Sequence, residues 1–154
     1  PVVLTHDDFE AGFGNWDSGG EDCKLYTDGR LAWQGFAALN LQDNSGLASS
    51  STLVQPIDVL TPGYSSIEVD FHFMALGMEK GEGFMLQLFD GSNWVTVQTW
   101  ARGREFENKK WQHETVVILS SFVNFSQNMK LRLRCDASGD DDDVYIDALT
   151  VTAQ

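Results

Sequence analysis

Basic residues are scarce in this chain: ten Lys and Arg stand against 23 Asp and Glu, a formal net charge of −13 over 154 residues. Nucleic-acid binding rests on Lys and Arg neutralising phosphates, so the balance opposes it. It also disfavours adhesion to anionic membrane surfaces. Long apolar runs are missing as well. No stretch approaches the roughly 20 apolar residues of a membrane helix, so insertion into a bilayer is not expected. The opening residues do not read as a secretory leader, and Pro1 in place of an initiator Met leads to the expectation of a processed or excised piece.

Several catalytic signatures are absent too. The chain has three histidines, His6, His72 and His113, and no Gly-x-Ser-x-Gly elbow. The glycines between residues 77 and 83 are followed by neither Lys-Ser/Thr nor a helix, so they are not a phosphate loop. Only two cysteines occur, Cys23 and Cys135, without the Cys-x-x-Cys spacing of zinc or redox sites. A disulfide between them would close a loop spanning most of the chain, worth about 4–5 kcal/mol in the chain-entropy model. The alternative is two separate buried thiols. The bridge is favoured, because loop-rich secreted domains use such staples.

What is present is alternation. No segment sustains a helical period, whereas period-two patterning recurs throughout. Ile67, Val69, Phe71 and Phe73 alternate with Glu68, Asp70, His72 and Met74, which predicts a strand with one buried and one wet face. Residues 84–89 and 94–100 flank Asp90-Gly91-Ser92-Asn93, a strong hairpin signal. Residues 2–9, 36–41, 48–54, 114–119, 130–135 and 143–152 complete the series, and residues 21–34 read as polar and irregular. About nine or ten short strands with no linker predict an all-β fold, a single antiparallel β-sandwich spanning residues 1–154.

Carboxylates crowd the two ends of the chain. Asp7, Asp8 and Glu10 lie near the start, and four consecutive aspartates, residues 140–143, lead into the last strand with Asp147 inside it. If the terminal strands pair, Asp8, Glu10 and Asp147 could share a calcium ion, with Asp43 closing the site from the turn at residues 43–46. Calcium takes six to eight oxygens at roughly 2.3–2.6 Å from carboxylates, carbonyls and water. The alternative leaves Asp8 and Glu10 in solvent and the aspartate run as a hydrated turn.

Glu68, Asp70 and His72 share one strand face about 7 Å apart at each step, a spacing open to a metal or to glycoside hydrolysis. Lys130, Arg132 and Arg134 alternate on another strand, and cross-strand charge pairing with the first set explains both without chemistry. Among five tryptophans, those in loops are the better platforms for a pyranose ring. Trp33 with Tyr26 comes first, then Trp100 beside Arg102. Asn124-Phe125-Ser126 is a glycosylation acceptor sequence, meaningful only in a glycosylating secretory pathway.

Asp8-Phe-Glu-Ala-Gly-Phe-Gly-Asn-Trp16 near the start and Val144-Tyr-Ile-Asp-Ala-Leu-Thr-Val151 at the end resemble secreted jelly-roll modules. The nearest are MAM-like domains and calcium-containing carbohydrate-binding modules, and the resemblance covers nearly the whole chain. It implies a jelly roll with a structural calcium between first and last strands, held mainly by Glu10 and Asp147 and less by Asp8 and Asp43. It also implies a Cys23–Cys135 bridge. Such modules often end Ile-Asp-Asp or Ile-Asp-Asn, whereas here Ala148 follows Asp147, so carbonyls or water would complete the coordination.

The expectation is therefore an extracellular, calcium-stabilised, non-enzymatic module that binds a glycan or surface polysaccharide, as an appendage of a larger secreted protein. A protein-adhesion role, as in MAM-like domains, is the first alternative. A jelly-roll glycoside hydrolase or lyase using Glu68 and Asp70, or Glu79 and Glu82, is the second. Glu68-x-Asp70-x-His72 carries His where laminarinase-like hydrolases carry the last acid of Glu-x-Asp-x-Glu, which removes a catalytic partner.

Overall fold

The computed structural model describes residues 1–44, 49–139 and 141–154. Its strands are β1 (Val2–Asp7), β2 (Trp16–Ser18), β3 (Cys23–Tyr26), β4 (Ala38–Leu41), β5 (Ser50–Leu53), β6 (Ser66–Leu76), β7 (Gly83–Phe89), β8 (Trp94–Ala101), β9 (Gln112–Leu119), β10 (Lys130–Asp136) and β11 (Asp143–Ala153). They form two antiparallel sheets facing each other. The first runs β3-β4-β11-β6-β9, with β1 also paired to β11, and the second runs β2-β5-β10-β7-β8. The fold is the all-β jelly-roll sandwich expected, with eleven strands among the described residues rather than nine or ten.

Alternation builds the core. On β6, Ile67, Val69, Phe71, Phe73 and Ala75 are fully buried between the sheets. Phe84, Leu86 and Leu88 from β7 and Leu131, Leu133 and Cys135 from β10 meet them from the opposite side. Aromatic edges interlock there: Phe73 meets Phe84 edge-on with ring centroids 4.8 Å apart, a favoured arrangement of ring quadrupoles.

The last strand breaks its own pattern once. Val144 and Ile146 face the core, then Leu149, Val151 and Ala153 do, so the inward parity switches at Asp147–Ala148. A β-bulge lies there, and Ala148 takes a left-handed backbone with φ of 50°. The same point is where the neighbour of β11 changes. Residues 144–146 pair with β4, whereas residues 149–153 pair with β1. A gap between β1 and β4 therefore opens beside Asp147.

Several expectations are corrected. Cys23 and Cys135 are separate buried thiols, not a disulfide. Cys23 belongs to the first sheet and packs its sulfur 3.0 Å from the Ser51 hydroxyl, whereas Cys135 belongs to the second. The supposed pairing of Lys130, Arg132 and Arg134 with Glu68, Asp70 and His72 does not occur, because β10 and β6 are in opposite sheets. Residues 21–34 contain β3, an edge strand too short and polar to show alternation.

A loop pinned by two carboxylates, and the aromatic surface it carries

Glu10 and Asp147 converge on the segment 33–37, which crosses the gap between β1 and β4. The Asp147 carboxylate accepts the backbone N–H groups of Trp33 and Gln34, each at 3.0 Å, and of its own neighbour Ala148 at 2.7 Å. Glu10 accepts the N–H groups of Phe36 at 3.1 and 3.0 Å and of Ala37 at 3.0 Å. Between the two pairs sits Gly35 with φ of 62°; a Cβ there would come within 2.4 Å of the Glu10 carboxyl. Only glycine fits that turn.

Asp147 is completely buried and forms no ion pair among the described residues. Burial raises its pKa above the usual carboxylate range and the charge of Glu10 adds to this, while the three N–H groups oppose both. The backbone is strained on both sides of the pair: Phe9, just before Glu10, has φ of 63°, and Ala148, just after Asp147, has φ of 50°. Non-glycine residues held in the left-handed region cost of order 1–3 kcal/mol each and concentrate at functional sites.

Of the other carboxylates expected here, Asp8 is exposed and accepts the N–H of Glu10 at 3.1 Å, fixing the turn. Asp43 is not brought to this place; it accepts the N–H of Ala137 beside the loop that follows β10. The rest of its turn, residues 45 and 46, and Asp140 lie outside the described residues. Asp7, not singled out from sequence, is 6% exposed and accepts from Asn15 N, Trp16 Nε1 and Thr5 Oγ1. It locks the first loop internally.

The pinned segment carries two exposed aromatics, Trp33 at 47% and Phe36 at 70% of their full surface. Trp33 lies flat on His72, with ring centroids 4.2 Å apart and planes 11° from parallel. His72 lies in turn on His113, its cross-strand partner, at 4.6 Å and 15°. Trp111 leans against Trp33 at 5.8 Å. Asp70 anchors the base of the stack, receiving the Thr115 hydroxyl at 2.7 Å and standing 2.7 Å from His113 Nε2. The His72 pKa is lowered, first by burial and then by the neighbouring His113, against an opposing pull from Asp70. The outcome is a ladder of flat rings on the outer face of the first sheet.

The remaining candidates disperse. Tyr26 is half-buried, edge-on to Tyr145 at 5.3 Å, in a small apolar cluster beneath residues 31 and 32. Trp100 is 1% exposed and stacks on Phe84 at 4.7 Å, so it packs the core instead of offering a platform. Arg102 pairs with Glu107 of its own loop at 3.3 Å. Glu68 is exposed, and Glu82 accepts the N–H of Glu79 at 2.7 Å within a turn. His72, His113 and Trp111 were not foreseen as a unit. The alternation of β6 placed His72 outward, but the register bringing His113 onto it depends on a distant strand.

No family model matches the chain, and no curated protein matches it. Solved structures do. The CBM22-1 xylan-binding domain of Xyn10C from Paenibacillus barcinonensis superposes with a TM-score of 0.67 at 14% identity, covering 98% of this chain and 94% of that one. TmCBM61, in complex with β-1,4-galactotriose, gives 0.60 at 20% identity over 96% and 94%. The K2 cleaved adhesin domain of Lys-gingipain gives 0.64 at 11% identity over 96% and 97%. The likeness is one of fold. It extends over essentially the whole length of each.

Proposed function

We propose that the protein is a non-catalytic, extracellular glycan-binding module stabilised by calcium, an appendage of a larger secreted protein. The observation that carries this reading is the exposure of Trp33 and Phe36 on a segment whose backbone is held by two carboxylates. Pyranose rings stack their apolar faces on aromatic side chains, and a platform binds best when its position is fixed beforehand. Asp147 bonds the Trp33 amide, His72 supports the indole from below, and Gln34 stands beside it to meet hydroxyls. Proteins of the same fold bind xylan or β-1,4-galactotriose, which favours a plant-type polysaccharide.

Glu10 and Asp147 are the acids we assign to the calcium, which would share their carboxylates with the backbone N–H groups they already accept. A fully buried carboxylate without a cationic partner, its pKa raised, beside a second carboxylate, is an arrangement that a divalent cation would relieve. Among the described residues no third acid or histidine joins them, so backbone carbonyls and water would supply the other oxygens. The ion would fix the segment bearing Trp33 and take no part in chemistry. A glycan array followed by calorimetry, with calcium present, tests the reading; failure of every neutral and acidic glycan class would refute it.

A second reading is protein adhesion, supported by the likeness to a cleaved adhesin domain. Self-association of the isolated domain in light scattering would favour it. A hydrolase is disfavoured: Asp70 is engaged by His113 and Thr115, and His72 is closed between two rings.

A further inference from the structure

Three of the ten basic residues, Lys130, Arg132 and Arg134, project from the outer face of β10, and the fold removes the acids that would have neutralised them. Their flanking strands present neutral side chains at these levels. Arg132 lies opposite Thr52 on β5 and Gln87 on β7, Arg134 opposite Ser50 and Met85, and Lys130 opposite Phe89. Among the described residues of these strands, two acids share the face. Asp17 stands two strands from Arg132, about 10 Å at normal strand spacing. Asp136 ends β10 one step beyond Arg134. Neither forms an ion pair with the basic row among the described residues.

Arg132 is also prepared for a ligand. Its guanidinium lies 4.0 Å over the Trp94 ring, and its Nε donates to Gln87 Oε1 at 2.6 Å. Gln87 is fixed in turn by donating to Thr96 Oγ1 at 3.0 Å. These contacts hold the stem and one edge of the fork, and no hydrogen bond among the described residues occupies its terminal nitrogens. A planar fork of this kind matches a carboxylate or a sulfate.

We propose that the outer face of the second sheet binds glycans carrying an anionic substituent, a ring carboxylate or a sulfate ester, with Arg132 as the recognition fork and Lys130 and Arg134 flanking it. Thr52, Ser50 and Thr96 supply hydroxyl partners, and Phe89 beside Trp94 supplies an apolar edge. A nucleic acid fits less well: three cations on a chain of charge −13 cannot offset a continuous phosphate backbone. This site is distinct from the Trp33 ladder on the other sheet, and it rests on the reading of the protein as a glycan-binding module.

Calorimetry with four polysaccharides tests it: polygalacturonate for carboxylate, carrageenan for sulfate, and neutral xylan and β-1,4-galactan. The expected result is that one or both acidic polymers bind, that Arg132→Gln weakens this binding about tenfold or more, and that neutral glycans are unaffected. Arg132→Lys keeps the charge without the fork and should recover only part of the loss. Raising the salt should weaken acidic binding selectively, and the acidic polymer that survives identifies the substituent. Acidic glycans bound no tighter than neutral ones, an unaffected Arg132→Gln variant, or equal binding of single-stranded DNA would each overturn the proposal. Binding of neutral but not acidic glycans removes this inference alone; binding of nothing removes the glycan reading itself.

Discussion

Asp147 and Glu10 grip successive peptide groups of one segment, Asp147 at Trp33 and Gln34, Glu10 at Phe36 and Ala37, with the left-handed Gly35 between them. The two acids come from opposite ends of the chain, one following β1 and the other inside β11. They meet because the β11 bulge lies where its neighbour changes from β4 to β1. The segment they hold is the one that exposes Trp33. In this account the fold's closure and its binding surface are mechanically one feature.

Removing either acid should therefore be costly. Asp147→Ala leaves the amides of Trp33, Gln34 and Ala148 without their acceptor, and a loss of about 2–3 kcal/mol in urea unfolding is expected. Calcium at a thousandfold excess over its Kd should add about 4 kcal/mol to the native protein, read as a rise in melting temperature that EDTA reverses. Asp147→Ala should abolish that rise. A melting temperature indifferent to EDTA and calcium would remove the ion from the account.

The thiols offer a simpler check. Burial raises the pKa of both Cys23 and Cys135, and acids around Cys135 raise it further. Neither should react with a thiol reagent at pH 8 in the native protein, and both should react in urea. Dithiothreitol should leave the melting temperature unchanged. A drop on reduction, or no free thiol in urea under non-reducing conditions, would restore the disulfide.

Trp100 was placed beside Arg102 as a stacking residue, and its surroundings predict otherwise. Enclosed by Phe84 and Phe71, it should cost about 3–5 kcal/mol on truncation to Ala, measured by chemical denaturation. A loss below 1 kcal/mol would contradict its place in the core.

His72 should give the protein a mild acid sensitivity. Its folded-state pKa lies below the unfolded value of about 6.5, so the fold prefers the neutral ring. The stability it contributes is present above that value and is lost as pH falls through the folded pKa. Between pH 7.5 and 5.5 the native chain should lose melting temperature relative to His72→Gln. A constant difference would show that the ring does not titrate differently on folding.

Which of these features could be read in advance follows from the range of the interactions. The inward face of β6 and the turn at Asp90 were legible because alternation and turn chemistry are local; the Asp90 carboxylate does cap Ser92 and Asn93. The pairing of the first and last strands was legible too, through the motifs at both ends. The neighbours of β10 were not. Its basic face suits any acidic partner strand, and the choice of sheet is made by long-range pairing that leaves no mark on the strand itself. Trp100 was misplaced for a related reason: a bulge in the β7–β8 pairing follows Leu86, and beyond it the parity of β8 differs from that of its first half. The stack of His113 on His72 needed a register linking strands forty residues apart.

The most direct test of the central claim is calorimetric titration of the native protein and of Trp33→Ala with neutral xylan and β-1,4-galactan, calcium present. The account predicts binding by the native protein and a loss of about fivefold or more in the variant, since a stacked aromatic platform contributes about 1 kcal/mol or more. The variant's stability should stay within about 1 kcal/mol of the native chain, because Trp33 is half exposed. Equal affinity in the two proteins would contradict the account.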